Sequence, residues 1–325
     1  MRVSVILCTY NRSRSLAKAL ASLAASELPT SVEWDVIVVD NNSTDQTRAA
    51  AEESCRRDPL HFRYLFELRQ GKSHALNAGI AQSSAEILAF TDDDVIVEPT
   101  WLYELTRPLE NPELSGTGGR VFLPVDFVPP AWLRTGDPGI LGILALFDPG
   151  PEPGLFPKRE QPPVGANMAY RKELFLKYGG FRTDLGPCPG RAARYEDTEF
   201  GWRLLNAGEK IKYVPSAIVH HEVSPERVNK RYFLAYCYGY GRAAIRNRRR
   251  RKPVGLIPSP VVSFANRVFR LLPRRISLWL RQSDPGRRFQ HKCYVWVMVG
   301  EMVELAFGWL VPRSKGSFQA QAAKQ

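Results

Sequence analysis

The chain has 325 residues, 44% of them hydrophobic, which is enough for one large domain or two smaller ones with a real core. Its five cysteines are scattered and never in a CxxC spacing, which argues against a disulfide framework and a structural zinc site. The net charge of +12 is concentrated between Arg242 and Arg288, where 14 Lys and Arg residues face one acid. The rest of the chain carries 31 basic and 32 acidic residues, so the basic character belongs to one segment.

Apolar strands and amphipathic helices alternate over the first ninety residues. Ser13 is expected to cap the helix that follows the first strand. Near-continuous apolar strands separated by helices are typical of a parallel sheet covered on both faces. The expected fold class is therefore α/β, with a Rossmann-like, mostly parallel sheet flanked by helices and a helical C-terminal extension. The predicted strands are residues 3–9, 35–40, 62–68 and 86–90.

Polar side chains follow three of these strands. They are Thr9-Tyr10-Asn11, Asp40 and Asp92-Asp93-Asp94. Because carboxyl ends of strands face the ligand crevice of an open α/β sheet, the three groups predict one polar crevice. If the backbone stays extended, Asp92 and Asp94 point one way and Asp93 the other. Carboxylate oxygens suit Mg²⁺ or Mn²⁺, although an isolated acidic cluster would equally suit a solvated turn.

Neither of the usual glycine-rich phosphate loops is present in the sequence. There is no GxGxxG after the first strand and no GxxxxGK[ST] anywhere. A diphosphate ligand would have to be neutralised by other means, and a metal held by carboxylates is the available one.

The middle of the chain is rich in proline. Residues 124–163 contain ten of the 25 prolines, together with apolar side chains such as Trp132. Such a run cannot sustain helices or central strands. It is either a partly ordered cover over the acceptor side, able to exclude water, or a structured connection with no gating role.

A second acidic pair, Glu196-Asp197, begins a predicted helix. Carboxylates are favoured there by the helix dipole alone. Alternatively, one carboxylate of the pair could act as a general base, with the other in support. Two short strands, 210–215 and 217–221, then end in His220-His221, whose side chains point to opposite faces, so at most one of them can bind a metal.

The basic segment precedes an apolar pattern at residues 293–311. Its apolar positions recur at helical spacing, while Glu301 and Glu304 count against a membrane span. The pattern predicts either an amphipathic helix at an anionic membrane surface, reached through 242–311, or a helix packed on the catalytic domain. Residues 314–325 lack an apolar pattern and are predicted to be disordered.

These motifs resemble family 2 glycosyltransferases with the GT-A fold. Besides the strand-end groups, the resemblance rests on Gly71-Lys72 leading to Asn77-Ala78-Gly79, on Gly165–Arg171, on Gly179-Gly180-Phe181, and on Glu196-Asp197 ahead of Arg203-Leu204. It covers residues 1–230 in the family's order and fades beyond.

The resemblance implies an enzyme of the hexosyltransferase type, inverting and metal-dependent, that uses a nucleotide-sugar, with UDP as the expected nucleotide. It implies a divalent cofactor, Mn²⁺ or Mg²⁺, on Asp94, with His221 as a further ligand. Asp197 is favoured over Glu196 as the base. The acceptor side is expected at Gly165, Ala166, Asn167 and Trp132. The expected nucleotide-sugar residues are Thr9, Tyr10, Asn11, Arg12, Asp40, Lys72, Asn77, Asp92 and Asp93.

Three parts of the chain are expected: a donor-binding half at 1–110, an acceptor-binding half at 111–230, and a basic, mainly helical extension at 231–325. The acceptor would be a glycan, a polysaccharide or a lipid-linked sugar, with a polyprenyl phosphate as the alternative. A nucleic-acid-binding protein or a scaffold would explain the basic segment but not the ordered motifs, so no nucleic-acid partner is expected. The short apolar N-terminal run and the unpaired cysteines favour a cytoplasmic protein, peripheral on the inner face of the cell membrane.

Overall fold

A computed structural model describes residues 1–134, 138–158, 160–188, 195–251 and 260–308. Some sequence predictions fall wholly or partly outside these ranges. They concern Gly136, the loop through Pro189 to Arg191, Lys252, the last residues of the helix predicted to reach Val311, and the tail 314–325.

The described residues form a nine-stranded α/β sheet in which six strands run in one direction. The strand order is β3-β2-β1-β4-β8-β6-β9-β5, with β7 paired to β9. The first four strands are parallel, as their apolar runs predict. The strands are β1 (Arg2–Thr9), β2 (Glu33–Asp40), β3 (Phe62–Phe66), β4 (Ile87–Asp92), β5 (Val95–Val97), β6 (Gly116–Phe122), β7 (Gly154–Leu155), β8 (Met168–Arg171) and β9 (Ile211–His221).

Helices cover both faces of the sheet. The prediction that Ser13 caps its helix was wrong. Ser13 is the first residue of the helix, and Arg12 occupies the N-cap position without a side-chain hydrogen bond. The helices are α1 (Ser13–Ala24), α2 (Thr47–Arg57), α3 (Lys72–Gln82), α4 (Trp101–Thr106), α5 (Glu173–Tyr178), α6 (Glu196–Ala207), α7 (Lys230–Arg251), α8 (Pro260–Asn266), α9 (Leu272–Arg281) and α10 (Pro285–Phe307).

Each face of the sheet has its own apolar core. On one face, alternate residues of β1 such as Val5 and Leu7 pack with Leu16 and Leu20 of α1. On the other face, Ile6 packs with Leu76 of α3 and with an aromatic cluster. In that cluster the rings of Phe175 and Phe200 are stacked 4.5 Å apart, joining α5 to α6. Burial on both faces explains why the strands lack a polar alternation.

The two strands predicted at 210–215 and 217–221 are one continuous strand, β9. It pairs with β6 on both sides of a register shift between Gly119 and Arg120. The shift absorbs the Pro215-Ser216 interruption, which the sequence pattern presents as a break. Antiparallel pairing of β9 with β5 places His221 opposite Val95, directly after the acidic cluster.

The proline-rich segment is a structured connection. It contains two short 3₁₀ helices, Ala131–Leu133 and Pro138–Leu144, and its Phe147 pairs with Val121 of β6. Leu133 and Leu144 are buried against the C-terminal helices. The segment therefore bridges the sheet and the extension, and nothing in these contacts bears on gating.

The long helix α10 packs tightly along α7. A Cβ atom on Gly300 would lie 2.1 Å from the Tyr238 carbonyl oxygen, and one on Gly241 would lie 2.0 Å from the Val297 carbonyl oxygen. Glycine is required at both positions because the two backbones nearly touch. The packed face includes Glu304, so the apolar stripe predicted for residues 293–311 does not mark the buried side. Within the described ranges, no helix is long and apolar enough to cross a membrane.

Candidate active site

The polar strand ends lie level at one edge of the sheet. The pairing register sets Thr9 opposite Asp40, and Cys8 opposite Asp92. The polar strand ends predicted to meet are therefore adjacent, at the carboxyl ends of the neighbouring parallel strands β2, β1 and β4.

Asp40 is fixed in place at one end of this crevice. It is buried, and its Oδ2 accepts a hydrogen bond of 2.9 Å from the Tyr64 hydroxyl. Its Oδ1 accepts one of 2.9 Å from the Ser43 N–H. Burial and the bond to Asp40 raise the pKa of Tyr64, so the phenol stays a donor.

The loop after β1 is tied to the loop after β2. Asn11 adopts a left-handed φ of 51°, and its Oδ1 accepts a hydrogen bond of 2.8 Å from the Thr44 N–H. Asn tolerates this conformation better than most residues. Tyr10, just before it, is exposed.

The acidic cluster does not follow the alternation predicted for an extended strand. β4 ends at Asp92, and the chain turns at Asp93 and Asp94. Asp92 forms an ion pair with Lys72. Asp93 accepts a hydrogen bond of 2.8 Å from the Thr9 hydroxyl and pairs with Arg12. The prediction that Asp93 is turned away was wrong, because the turn brings Asp93 and Asp94 to the same guanidinium.

Asp94 is the most heavily paired carboxylate of the site. Arg12 contacts it, Arg227 Nη2 lies 2.9 Å from its Oδ2, and His221 Nε2 lies 3.3 Å from its Oδ1. Burial alone would raise the pKa of Asp94, but His221, Arg227 and Arg12 hold it well below its usual range. The site thus keeps an ionised carboxylate out of water.

The second acidic pair interacts electrostatically with Lys72. Lys72 is flanked by Asp92 and interacts electrostatically with Glu196 and Asp197; burial would lower the pKa of Lys72, but these acids raise it. The pKa of Glu196 is raised by burial and by Asp197, with Lys72 opposing. One ammonium group therefore links the two acidic centres.

Asp197 sits in the first turn of α6, half-buried. Its Oδ2 accepts a hydrogen bond of 2.8 Å from the Gly165 N–H, and its Oδ1 accepts one of 2.6 Å from the Thr198 N–H. A Cβ atom at Gly165 would lie 3.0 Å from Oδ2. The glycine thus permits the close approach that fixes this carboxylate.

Comparison with known proteins decides the family. The family model described as "Glycosyl transferase family 2" matches residues 4–179, and "Glycosyl transferase family group 2" matches residues 155–311. The chain is 30% identical over 233 residues to the succinoglycan biosynthesis protein ExoM of Rhizobium meliloti, covering 70% of this chain and 69% of that one. The chain belongs to glycosyl transferase family 2.

Further similarities of this family 2 glycosyltransferase agree with that assignment. It is 26% identical over 261 residues to a glucosyl-dolichyl phosphate glucuronosyltransferase of Haloferax volcanii, covering 74% of this chain and 76% of that one. The expected glycosyltransferase is thereby confirmed.

Solved structures show the same fold. A mannosyltransferase from Pyrobaculum calidifontis, in complex with GDP-Man and Mn²⁺, superposes with a TM-score of 0.55 at 18% identity, covering 99% of this chain and 79% of that one. TarS 1–349 of S. aureus, in complex with UDP-GlcNAc, superposes with a TM-score of 0.53 at 14% identity, covering 95% and 92%. The predicted GT-A fold is thus confirmed for the glycosyltransferase.

The two adjacent histidines of the glycosyltransferase point to opposite faces, as predicted. His221 is buried beside Asp94, whereas His220 Nε2 lies 2.8 Å from Glu98 Oε1 on the other face. Among the described residues no group of three or more His, Cys, Asp or Glu side chains is arranged to hold a metal ion. Asp94 and His221 are therefore a two-residue set.

Two predicted ligand residues of the glycosyltransferase make internal hydrogen bonds. The side-chain amide of Asn77 bonds both the N–H and the carbonyl of Phe181, which ties α3 to the loop after α5. Asn167 is fully buried, accepting from Trp101 Nε1 and donating to the Ala217 carbonyl. These internal bonds fix the orientation of both amides, and those of Asn167 occupy both of its N–H donors.

Among the residues predicted on the acceptor side, Gly165 contacts Asp197, through its N–H group. The carbonyl of Ala166 accepts a hydrogen bond of 3.0 Å from the Thr91 hydroxyl and faces the sheet. Trp132 packs edge-on against Phe233 and Phe289, with ring centroids 5.4 and 4.8 Å away. It belongs to the apolar contact between the proline-rich segment and the C-terminal helices.

Arg227 is the site residue that sequence reasoning missed. It lies in a short 3₁₀ turn, Pro225–Arg227, between β9 and α7. The segment has no apolar period and no motif, so an arginine there reads as a solvated loop residue. Only the return of the chain from β9 brings it to Asp94.

Proposed function

We propose that this glycosyltransferase moves a hexosyl group from a nucleotide diphosphate-sugar, a UDP-sugar in the first instance, to a hydroxyl of a glycan, polysaccharide or lipid-linked acceptor. The transfer inverts the anomeric carbon and depends on a divalent metal. The observation that carries the proposal is the presence of two carboxylate centres, Asp94 with its cations and Asp197 on α6, together with Lys72, which pairs with Asp92 and interacts electrostatically with Asp197.

The donor would lie along the carboxyl ends of β1, β2 and β4. Asp40 and the fixed loop of Asn11 suit a base and ribose, with the exposed ring of Tyr10 available to stack on the base. Solved relatives of the same fold hold GDP-Man and UDP-GlcNAc, which supports a nucleotide-sugar donor here.

Asp94 and His221 would hold the divalent metal. A carboxylate oxygen and an imidazole nitrogen 3.3 Å apart fit Mn²⁺ or Mg²⁺, which complete their coordination with water and phosphate oxygens. The neighbouring mannosyltransferase contains Mn²⁺, which supports this reading. When bound, the metal would neutralise charge on the diphosphate as it leaves.

Asp197 would act as the general base. A base must be held in a fixed orientation, and the backbone N–H groups of Gly165 and Thr198 fix the orientation of the Asp197 carboxylate. In the transfer, the acceptor oxygen forms a bond to the anomeric carbon as the bond to the diphosphate oxygen breaks. The acceptor proton passes to Asp197, and the diphosphate leaves with the electron pair.

Three cationic side chains surround the position of the leaving group. Lys72 pairs with Asp92, while Arg12 and Arg227 reach Asp94. Fixed charges placed where negative charge develops stabilise a transition state without reorganisation. These side chains would bind the phosphate groups that glycine-rich loops bind in other nucleotide-binding proteins.

A lipid-linked acceptor has one specific observation in its favour. The Haloferax volcanii relative is named for a dolichyl phosphate-linked sugar. A glycan or polysaccharide acceptor is favoured by the match to a succinoglycan biosynthesis protein. The proposal also divides the chain into a donor-binding half at 1–110, an acceptor-binding half at 111–230 and a basic extension at 231–325. It places the protein on the inner face of the cell membrane.

Thermal unfolding with nucleoside diphosphates tests the donor and metal together. UDP or GDP with Mn²⁺ should raise the Tm, by an amount corresponding to about 2.7 kcal/mol at a ligand concentration of about 100 Kd. Asp94→Asn should remove the Mn²⁺-dependent part, whereas Asp126→Asn, an exposed acid in the proline-rich segment, should not. Retention on RNA without any nucleotide response would refute the proposal in favour of a nucleic-acid-binding protein.

A further inference from the structure

A helical segment of the C-terminal region has no buried side chain among its described residues 262–281. It runs through α8, a π-helical turn at Arg267–Leu271, and α9. Helices of globular proteins normally bury an apolar stripe against the core, so a helix of this composition without one requires a partner surface.

The segment nevertheless carries a continuous apolar stripe. Phe269, Leu272, Ile276 and Leu280 follow one another at steps of three and four residues. Phe269 is 80% exposed and Leu280 is 60% exposed. The last three line an open groove of 510 Å³ together with Pro273. Large apolar side chains aligned on one exposed face mark an interaction surface.

The opposite edge of the same segment is strongly basic. Between residues 260 and 281 there are five arginines and no acid. Arg267 is paired with Glu301 of α10, while Arg270, Arg274, Arg275 and Arg281 are exposed. A large apolar stripe flanked by arginines is typical of a helix that lies in the plane of a lipid interface.

α10 contains the apolar pattern for which the sequence predicted a membrane-surface helix as one alternative, but this helix packs against α7. The contact with α7 is made by Gly300 and by Glu304, which forms salt bridges with Arg242 and Arg246. α9 lies on α10 through Trp279, whose ring is 5.5 Å from Lys292 Nζ. The α8–α9 segment is therefore packed on α10, while Phe269 and Leu280 of its stripe stay exposed.

Of the partners that could cover the stripe, an anionic lipid surface fits best. A second copy meeting it through the same face would bring two rows of arginines together, which like-charge repulsion disfavours. A nucleic acid would satisfy the arginines but leave Phe269 and Leu280 against phosphates. An anionic bilayer offers both acyl chains and negative headgroups.

We infer that the segment 260–281 is a peripheral membrane-binding element that seats the enzyme on an anionic lipid surface through Phe269, Leu272, Ile276 and Leu280, with its arginines at the headgroups. The inference deepens the proposed function, on which it rests only for the consequence that a lipid-linked acceptor would be met at that surface.

The test is sedimentation of the full chain with vesicles of phosphatidylcholine, with and without phosphatidylglycerol. Binding should require the anionic lipid and weaken with salt. Arg274→Gln with Arg281→Gln should reduce binding about 30-fold. Ile276→Ser with Leu280→Ser should reduce it roughly tenfold or more, since the lost contact is apolar.

Matched variants keep the test specific. Leu60→Ser removes a side chain that is 84% exposed before β3, and Arg56→Gln with Arg57→Gln removes two charges from α2; neither should change vesicle binding. The nucleotide-dependent Tm shift should be equal in all variants, which separates failure of this inference from failure of the proposed function. Vesicle binding by the α9 variants at the wild-type level would overturn it, as would retention on RNA without vesicle binding or a dimer that the serine variants dissociate.

Discussion

The Nη2 atom of Arg227 lies 2.9 Å from the Oδ2 atom of Asp94, although 132 intervening residues separate them along the chain. Both side chains are nearly buried. Removing one partner of such a pair leaves an uncompensated charge, which is why the contact has measurable consequences.

Arg227→Gln should lower the free energy of unfolding by about 2 kcal/mol, less than the full cost of breaking a buried pair, because Arg12 still compensates Asp94. Urea unfolding measures this. Arg57→Gln, whose guanidinium is an exposed partner of Glu53, should leave the unfolding midpoint nearly unchanged. Equal midpoints for both variants would show that Arg227 does not pair with Asp94 in solution.

Asp197→Asn should reduce sugar transfer by about 10²–10⁴-fold, because the amide keeps the shape of the carboxylate but cannot take the acceptor proton. Nucleotide affinity should stay within about twofold, because a general base acts in the transition state and not in nucleotide binding. Titration calorimetry and a transfer assay separate the two. Unreduced turnover would remove Asp197 from the role of base.

Gly165→Ala should impair transfer without unfolding the protein. The new methyl group would press on Asp197 Oδ2 at 3.0 Å and displace the carboxylate, at a cost of about 10–100-fold in kcat. Gly142→Ala is the matched control, since a Cβ atom there meets nothing within 4 Å. A control that loses as much activity would point to a general effect of alanine.

Asp93→Asn should destabilise the fold, in contrast to the mild effect that an outward-pointing side chain would give. Asp93 accepts the Thr9 hydroxyl and pairs with Arg12, so the substitution should cost about 1–3 kcal/mol. Thermal unfolding beside the exposed Asp126→Asn provides the comparison. An unchanged Tm would instead support an extended strand in which the Asp93 side chain points outward.

Glu304 makes the packing of α10 on α7 dependent on pH. Burial would raise the pKa of Glu304, but Arg246 and Arg242 hold it below its usual range. A carboxyl whose pKa is lower in the folded state stabilises the fold above the unfolded value of about 4.3 and loses that contribution as the pH falls through the folded value. Glu304→Gln should therefore cost about 3 kcal/mol at neutral pH and progressively less in acid, whereas the exposed Glu226→Gln should show neither effect.

Much of the fold could be predicted because it follows from local periodicity. The apolar runs gave four parallel strands, and their polar ends gave the crevice at Thr9, Asp40 and Asp92. Errors occurred where a contact distant in sequence overrides the local pattern. β9 continues through Pro215 because β6 pairs with both sides of it. The hydrogen bonds that the side chains of Asn77 and Asn167 make to backbone groups of distant segments could not be predicted from local pattern either.

The sequence by itself determined the family, the four parallel strands of the first half and the positions of the acidic residues Asp94 and Asp197, since these depend on residue type and spacing. Only the tertiary structure decided which charges meet. The turn after β4 aims Asp93 and Asp94 at Arg12, and the return from β9 delivers Arg227 and His221 to Asp94. It also decided that α10 is packed while the α8–α9 stripe stays exposed. Hydrophobic periodicity gives the direction of a side chain on its own helix, but the neighbour on that side is set by the path of the whole chain.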